Sequence, residues 1–377
     1  MPALYADLNI GGFSVQPTNV LLKQADFAHE VAACIVPAER LPYGGREENL
    51  PVQLQWGRFP GNKATFSGYV HHTEPNYGAV DAAKTVRLVC LGATTALSKP
   101  LQAVWHNRSV DAVVQELAEG VYLSALAEQH SQIWDTLVAS GGTAWEFMTQ
   151  LAGKVGYRLA SFGTEVRFLS LTTLFKVYGP QAPTVVLGAA LDHFQADVGN
   201  LSDGVSVKRS AVGIDQRSGQ LFNVTDTGTA PQFGTEQPGS AFSQLVDTVL
   251  DSPDVGAAKL AGLAAGNSFT YTAAAELRRG DTLISNGSFV YVDGVEPSQA
   301  GHWYVIEAEH DLDVVQQQFN SYLQLGRDAL GAWGQNPITG FVTTPLRQTP
   351  LGDSVATVPP SVLVGNRWRS GWARRAS

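Results

Sequence analysis

Charge is scarce in this chain. Asp, Glu, Lys and Arg make up 16% of 377 residues, against ~25% in an ordinary soluble domain. Such a surface suits a turn-rich β protein or one largely covered by partners. Cysteine is nearly absent as well: Cys34 and Cys90 sit in the apolar runs AACIV and RLVCLG. Neither has metal-site or redox spacing, and both read as buried free thiols. No apolar run approaches the ~18 residues that span a bilayer as a helix. The start, MPALYADLN, has no basic stretch followed by an apolar one, so no secretory leader is expected and synthesis is cytoplasmic. Bases are outnumbered, 25 to 34, for a net charge of -9, which excludes a chain built to hold nucleic acid by charge. Gly-x-Ser-x-Gly, P-loop, Gly-x-Gly-x-x-Gly and His-Glu-x-x-His motifs are missing. No catalytic residue, metal site or cofactor is therefore expected.

What the chain has is Gly (38) and Pro (19) between alternating apolar runs. Residues 3–98 read as an all-β unit of about six strands. These are Leu4–Ile10, Val15–Leu22, Glu30–Val36, Val52–Trp56, Ala64–His71 and Lys84–Leu91, the last with Val86, Leu88 and Cys90 on one face. From residue 99 the period changes. Ser109 can cap a helix carrying Val110, Val113, Val114, Leu117 and Val121. Thr143-Ala-Trp-Glu146 is a capping box, followed by the stripe Phe147, Met148, Leu151 and Val155, a Gly156 stop and a hairpin over 157–170. Strands resume at 185–188, 191–197, 204–211 and 221–224. Helical spacing returns at Phe242, Leu245, Val246 and Val249, and Ser252-Pro253-Asp254 opens a second helix.

Gly280–Asp328 reads as four short strands: Thr282–Ile284, Phe289–Val292, Trp303–Ala308 and Phe319–Leu325. Asn286-Gly287 turns the first pair, and the acidic run His310–Asp313 turns the last. No helix fits, so a meander or small barrel follows. A repeat is also visible. Tyr69-Val70 leads to Leu91-Gly92 as Tyr304-Val305 leads to Leu325-Gly326, with His72 and His310 following the two Tyr-Val pairs.

The Gly-Asp opener, the Gly-x-Trp/Tyr-x-Val strand with a His after it, and the ending Leu-x-Leu-Gly-Arg-Asp resemble the closing barrel of phage tail and baseplate hub proteins. That barrel is shared with the hub region of type VI secretion spikes. TAWEFMTQLAGKVGYRLASFGTEVRFLS is similar to the helix and hairpin of the same family's insertion domain. The resemblance covers 1–328 and implies a mainly β fold with an α/β insertion. By it, residues 1–98 form a first barrel, and 179–226 with 276–328 form a second. Residues 99–178 are the α/β insertion, 227–275 a helical insertion packing on it, and 329–377 an extended basic tail. The function implied is the hub of a tail tip or baseplate in the virion, assembled in the host cytoplasm. Such a hub is a homotrimer, with a distal tail or tube protein above and tip, spike or other minor tail proteins below. Tape-measure protein and DNA pass through its lumen. Alternatives are the hub of a contractile injection system, a tail-associated cell-wall hydrolase and a carbohydrate-binding module.

Glu307, Glu309 and His310 could hold a metal, but they read as a solvated strand end and turn. His71 and His72, neighbours on a strand, face opposite ways. Asp192, His193 and Asp197 have no nucleophile motif beside them. Trp105, Trp134 and Trp145 read as core residues rather than sugar platforms. The tail holds five arginines and one acid, Asp353. Its Trp333, Arg347, Arg367, Trp368, Arg369, Trp372, Arg374 and Arg375 are interaction residues, because Arg and Trp anchor interfaces.

Overall fold

The computed structural model describes residues 3–44, 46–76, 84–197, 206–214, 218–225, 240–246, 253–257, 260, 269 and 271–328. The first part is built from β1 (Ala3–Ile10), β2 (Phe13–Val15), β3 (Asn19–Ala25), β4 (Val31–Pro37), β5 (Pro51–Phe59), β6 (Lys63–Asn76) and β7 (Thr85–Gly92). Val15–Leu22 is therefore not one strand: Pro17, which can donate no ladder bond, separates β2 from β3. The alternation of β7 holds, with Val86, Leu88 and Cys90 all inside.

An α/β unit follows: β8 (Pro100–Ser109), α1 (Val110–Glu119), β9 (Ser124–Ala127), β10 (Ile133–Thr143), α2 (Ala144–Val155), β11 (Tyr157–Phe162), β12 (Glu165–Ser170) and α3 (Leu171–Tyr178). The Thr143–Glu146 capping box is present in both directions, and Gly156 closes α2 at φ 73°, a conformation that favours glycine. Phe147, Met148, Leu151 and Val155 are buried on β11 and β12 with Leu159, Val166 and Phe168. Ser109 stands at the cap position of α1 but makes no side-chain capping bond.

The chain then gives β13 (Thr184–Val186), β14 (Leu191–Asp197), β15 (Ser206–Ile214), β16 (Leu221–Thr225), β17 (Ser240–Val246), β18 (Tyr271–Leu277), β19 (Phe289–Asp293), β20 (Gly301–Asp313) and β21 (Gln318–Arg327). Residues 240–246 are thus a strand, not a helix. Seven residues fit either period, and here parallel pairing with β15 decides for the strand. β15, β16 and β17 form a sheet of their own, so 206–225 do not extend the large sheet. Residues 253–257 are helical, as the Ser-Pro-Asp start implies.

Two features of the closing stretch differ from expectation. Thr282–Ile284 is a turn rather than a strand. Its buried Ile284 plugs the sheet, with the Ile284 N–H donating to Asp281 and the Gly287 N–H to Val305. Gly280 has to be glycine because a Cβ there would stand 2.3 Å from the Phe319 ring. His310–Asp313 is not a turn either. It completes β20, held between β21 and β3. The acids alternate with buried His310 and Leu312, so what resembled an acidic loop is one face of a strand.

One thirteen-stranded sheet runs β14-β18-β21-β20-β3-β4-β7-β6-β5-β1-β2, with β19 beside β20 and β13 beside β19. It carries two apolar cores. One gathers Leu8, Leu22, Cys34, Leu54, Phe66 and Cys90, the other Leu191, Ala275, Val290, Trp303, Val305 and Leu325.

Candidate assembly interface

The two halves of the sheet follow the same path. In the first the order is β3-β4-β7-β6-β5-β1, and in the second β14-β18-β21-β20-β19-β13. Ranked by chain order within each half, both run second-third-sixth-fifth-fourth-first. They differ in direction at one end, where β1 runs antiparallel to β5 and β13 runs parallel to β19. The match extends to single residues. Val70 faces Cys90, one residue bulges out, and pairing resumes at His72 with Val89. Val305 faces Leu325, one residue bulges out, and pairing resumes at Glu307 with Gln324. A bulge of this kind bends a strand at a fixed place. The Tyr-Val pairs are therefore equivalent, as the sequence suggests. The Leu-Gly endings are one residue out of step, since Cys90 and not Leu91 matches Leu325. The histidines are not equivalent: His72 occupies the place of Glu307.

The halves join where β20 pairs with β3, from Glu307 opposite Ala25 to Asp313 opposite Asn19. Lys23 Nζ lies 2.6 Å from Glu307 Oε1 on the outer face of this seam. Below it the seam is buried and polar. Tyr304 Oη donates to both carboxylate oxygens of Asp26, at 2.8 and 3.0 Å. Arg158, from β11, stands 3.9 Å from Asp26 and lies over the Phe269 ring at 4.3 Å. Glu30 accepts from Gln24 and, at 2.8 Å, from the Gly163 N–H. Trp145 of α2 donates to the Phe27 carbonyl at 3.0 Å. Both halves and the α/β unit are thus tied at one place. Sequence reading missed it, because Asp26, Glu30 and Arg158 are isolated charges in ordinary-looking strand ends. The signal was their charge inside runs that otherwise alternate apolar and polar.

Burial governs the titration of this seam. It pushes the Asp26 carboxyl up to about 7 despite Arg158 and Tyr304, and Glu30 up to about 7 despite Gln24 and Gly163. It pushes the His29 and His310 imidazoles down to about 4. Neutral His310 donates from Nε2 to the Ile284 carbonyl at 2.9 Å and accepts at Nδ1 from Ser321 at 2.7 Å. The raised acids contribute stability that is full below about pH 4 and lost as pH rises through about 7. The lowered imidazoles contribute stability that is full above pH 6.5 and lost as pH falls through about 4. Between these limits the two pairs oppose one another. Asp26→Asn removes one acid while keeping an acceptor for Tyr304. Its thermal midpoint should rise with pH across this window more steeply than that of the parent. Equal slopes in a melting series would show that Asp26 does not titrate there.

The expected side chains fall as follows. Glu307 and Glu309 share the outer face, and His310 points the other way into the sheet, so the three do not converge. His71 and His72 are both exposed, because the bulge interrupts the alternation that would have turned one inward. Asp192 binds Arg278 rather than His193. Trp105 is buried, stacked 5.4 Å from Phe147 and bonded to Glu116, and Trp145 is buried against His29. Trp134 is half-buried with Lys154 over its ring. None of the three offers an open platform. Trp333, Arg347, Arg367, Trp368, Arg369, Trp372, Arg374 and Arg375 lie outside the described residues.

No protein-family model matches the chain, and no curated sequence does. Solved structures do. A tail protein from Neisseria meningitidis MC58 is 11% identical with a TM-score of 0.63, covering 86% of this chain and 97% of its own. The 43 kDa tail protein of prophage MuSo2 from Shewanella oneidensis is 13% identical with a TM-score of 0.61, covering 87% and 100%. An E. coli component of the type VI secretion system, described as similar to T4 bacteriophage tail proteins, is 9% identical at 0.56, covering 85% and 76%. The fold is therefore the mainly β tail-hub fold shared by these phage tail proteins and the type VI secretion component. Its signature in this chain is the duplicated strand path with an α/β unit between the copies.

Proposed function

We propose that the chain is the structural hub of a phage tail tip or baseplate, a ring that joins the tail tube to the tip or spike and surrounds the DNA channel. The observation that carries this is the duplication. Two equivalent half-sheets have no evident use in a monomer, but three chains supply six similar units. Such a ring matches a sixfold tube to a threefold tip. In this reading residues 1–98 are one barrel. The second is drawn from 179–197 and 271–328, and 99–178 are the insertion. The partners are a tube or distal tail protein above and tip proteins below, with tape-measure protein and DNA in the lumen. The hub of a contractile injection system is the second reading, favoured by the type VI neighbour. The role is structural rather than enzymatic. Immunogold labelling of intact particles with antibodies to this chain should mark the tail tip. Label on the head or along the tube, or none, would overturn the assignment.

The tail, residues 331–377, is the docking arm in this reading. It holds five of 25 bases and one of 34 acids, and an arm of that charge suits the acidic remainder of a neighbouring copy or tail protein. Deleting 331–377 should leave a folded chain with an unchanged melting temperature but reduced incorporation into particles. Normal incorporation, measured by quantitative blotting of purified particles, would count against docking.

A further inference from the structure

The outer face of the sheet around β20 combines charge of one sign with apolar surface. Glu307, Glu309, Asp311 and Asp313 alternate along β20 with inward residues and are all partly exposed, so neighbours in the row stand about 7 Å apart. The residues that face them on β3 and β21 include one base, Lys23, and its Nζ is on Glu307 at 2.6 Å. Glu309, Asp311 and Asp313 have no basic partner among the described residues. Like charges at this spacing repel one another. Burial, and then the charge of Asp313, hold the Asp311 carboxyl above its usual range. Beside the row the face is apolar: Leu21 faces Asp311, Ile35 faces Asn19, and both are half-buried.

We infer that the Arg367–Arg375 end of the tail lies on this face of a neighbouring copy, with Arg367 and Arg369 on Glu309 and Asp311. This rests on the reading of 331–377 as a docking arm and adds to it the surface that receives the arm. Charge supports the match. The row is short of cations, while four of the five tail arginines fall between 367 and 375 and the one tail acid, Asp353, lies well before them. Spacing supports it too. Arg367 and Arg369 are two residues apart, so an extended arm repeats the interval between the carboxylates, and each guanidinium can make charge-assisted bonds to one of them. Trp368 and Trp372 stand among these arginines, and the apolar surface at Leu21 and Ile35 is of the kind an indole covers. The reach is sufficient. Asp328 follows β21, which lies beside the strand that carries the row. A chain of the length of 329–366 has a typical end-to-end distance of roughly 35 Å, about the width of a small domain. Each copy thus holds both a row and an arm that fits the row of the next, a heterologous contact that closes when repeated around a ring.

The test is a charge exchange in the full chain, read by quantitative blotting of purified particles. Reversing the row by Glu309→Arg with Asp311→Arg should lower incorporation about tenfold or more, since like charges across a contact repel. Reversing the arm by Arg367→Glu with Arg369→Glu should do the same. The chain carrying all four changes should be incorporated like the parent. Melting of each purified chain reads folding separately. If the reversed row melts early, Glu309→Gln with Asp311→Asn decides: it adds no charge and should lower incorporation in the same direction by less. The contact itself is read by placing Glu309→Cys and Arg369→Cys in one chain and running oxidised particles on a non-reducing gel. Cys34 and Cys90 are buried and do not compete. Disulfide-linked dimers and trimers are expected. A link confined to single chains would put the arm on its own copy and overturn the inference. Normal incorporation of the reversed row, or no link and no rescue by the four-residue exchange, would overturn this surface. Either result leaves the arm and the hub readings intact, since those stand or fall by the tail deletion and the immunogold labelling.

Discussion

Trp303→Ala is expected to lower the stability of the second half-sheet by about 3–5 kcal/mol, the usual cost of emptying a buried aromatic site. Trp303 is fully buried. Its ring meets Phe194 edge-on at 5.6 Å and carries the Arg327 guanidinium at 5.3 Å, and its Nε1 donates to the Gln299 carbonyl at 3.0 Å. Alanine leaves a cavity and strips Arg327 of its aromatic partner. Burial already pushes Arg327 down to about 10, so that loss falls on a cation that is itself costly to bury. Because β20 also forms the seam with β3, the damage should spread to the first half, and the variant should fail to enter particles. Urea unfolding measures the first effect. A loss below about 1 kcal/mol would mean that the second core closes without Trp303.

Leu151→Ala is expected to cost about 2–5 kcal/mol, with a different consequence. Leu151 is fully buried between α2 and the β11–β12 hairpin. The loss should stay in the α/β unit, because the two sheet cores share none of its contacts. Amide exchange should accelerate in α1, α2 and β11 and hold steady in β4, β7 and β21, as expected for a locally opening unit. Assembly should persist at permissive temperature. A change under about 0.5 kcal/mol would place Leu151 at an exposed site, contrary to its packing.

Elements with a local cause were legible. The α2 cap, its stripe and its glycine stop are set by residues a few positions apart, and β7 alternates cleanly. The elements misread depend on distant partners. β17 has a helix-compatible spacing and becomes a strand only because β15 lies beside it. The acids 307–313 look like a loop until β3 is seen to cover β20. Of the candidate site, the Tyr-Val repeat was visible and pointed to the duplication. Its register was not visible, because Leu91 and Leu325 look alike while facing opposite sides of their sheets. The buried Asp26–Arg158–Tyr304 contact joins residues far apart in the chain, and no local pattern marks it.

The reading that matters most is a ring of these chains around a channel. Residues outside the tail carry nearly all of the 34 acids and 20 of the 25 bases, and a basic lumen would bind passing DNA through released counterions. A cryo-EM reconstruction of the tail tip measures this directly. It should show three copies arranged as six similar half-sheets around a neutral-to-acidic lumen, with basic side chains at outer contacts and on the tails. A single copy at the tip, or a channel lined by lysine and arginine, would contradict it.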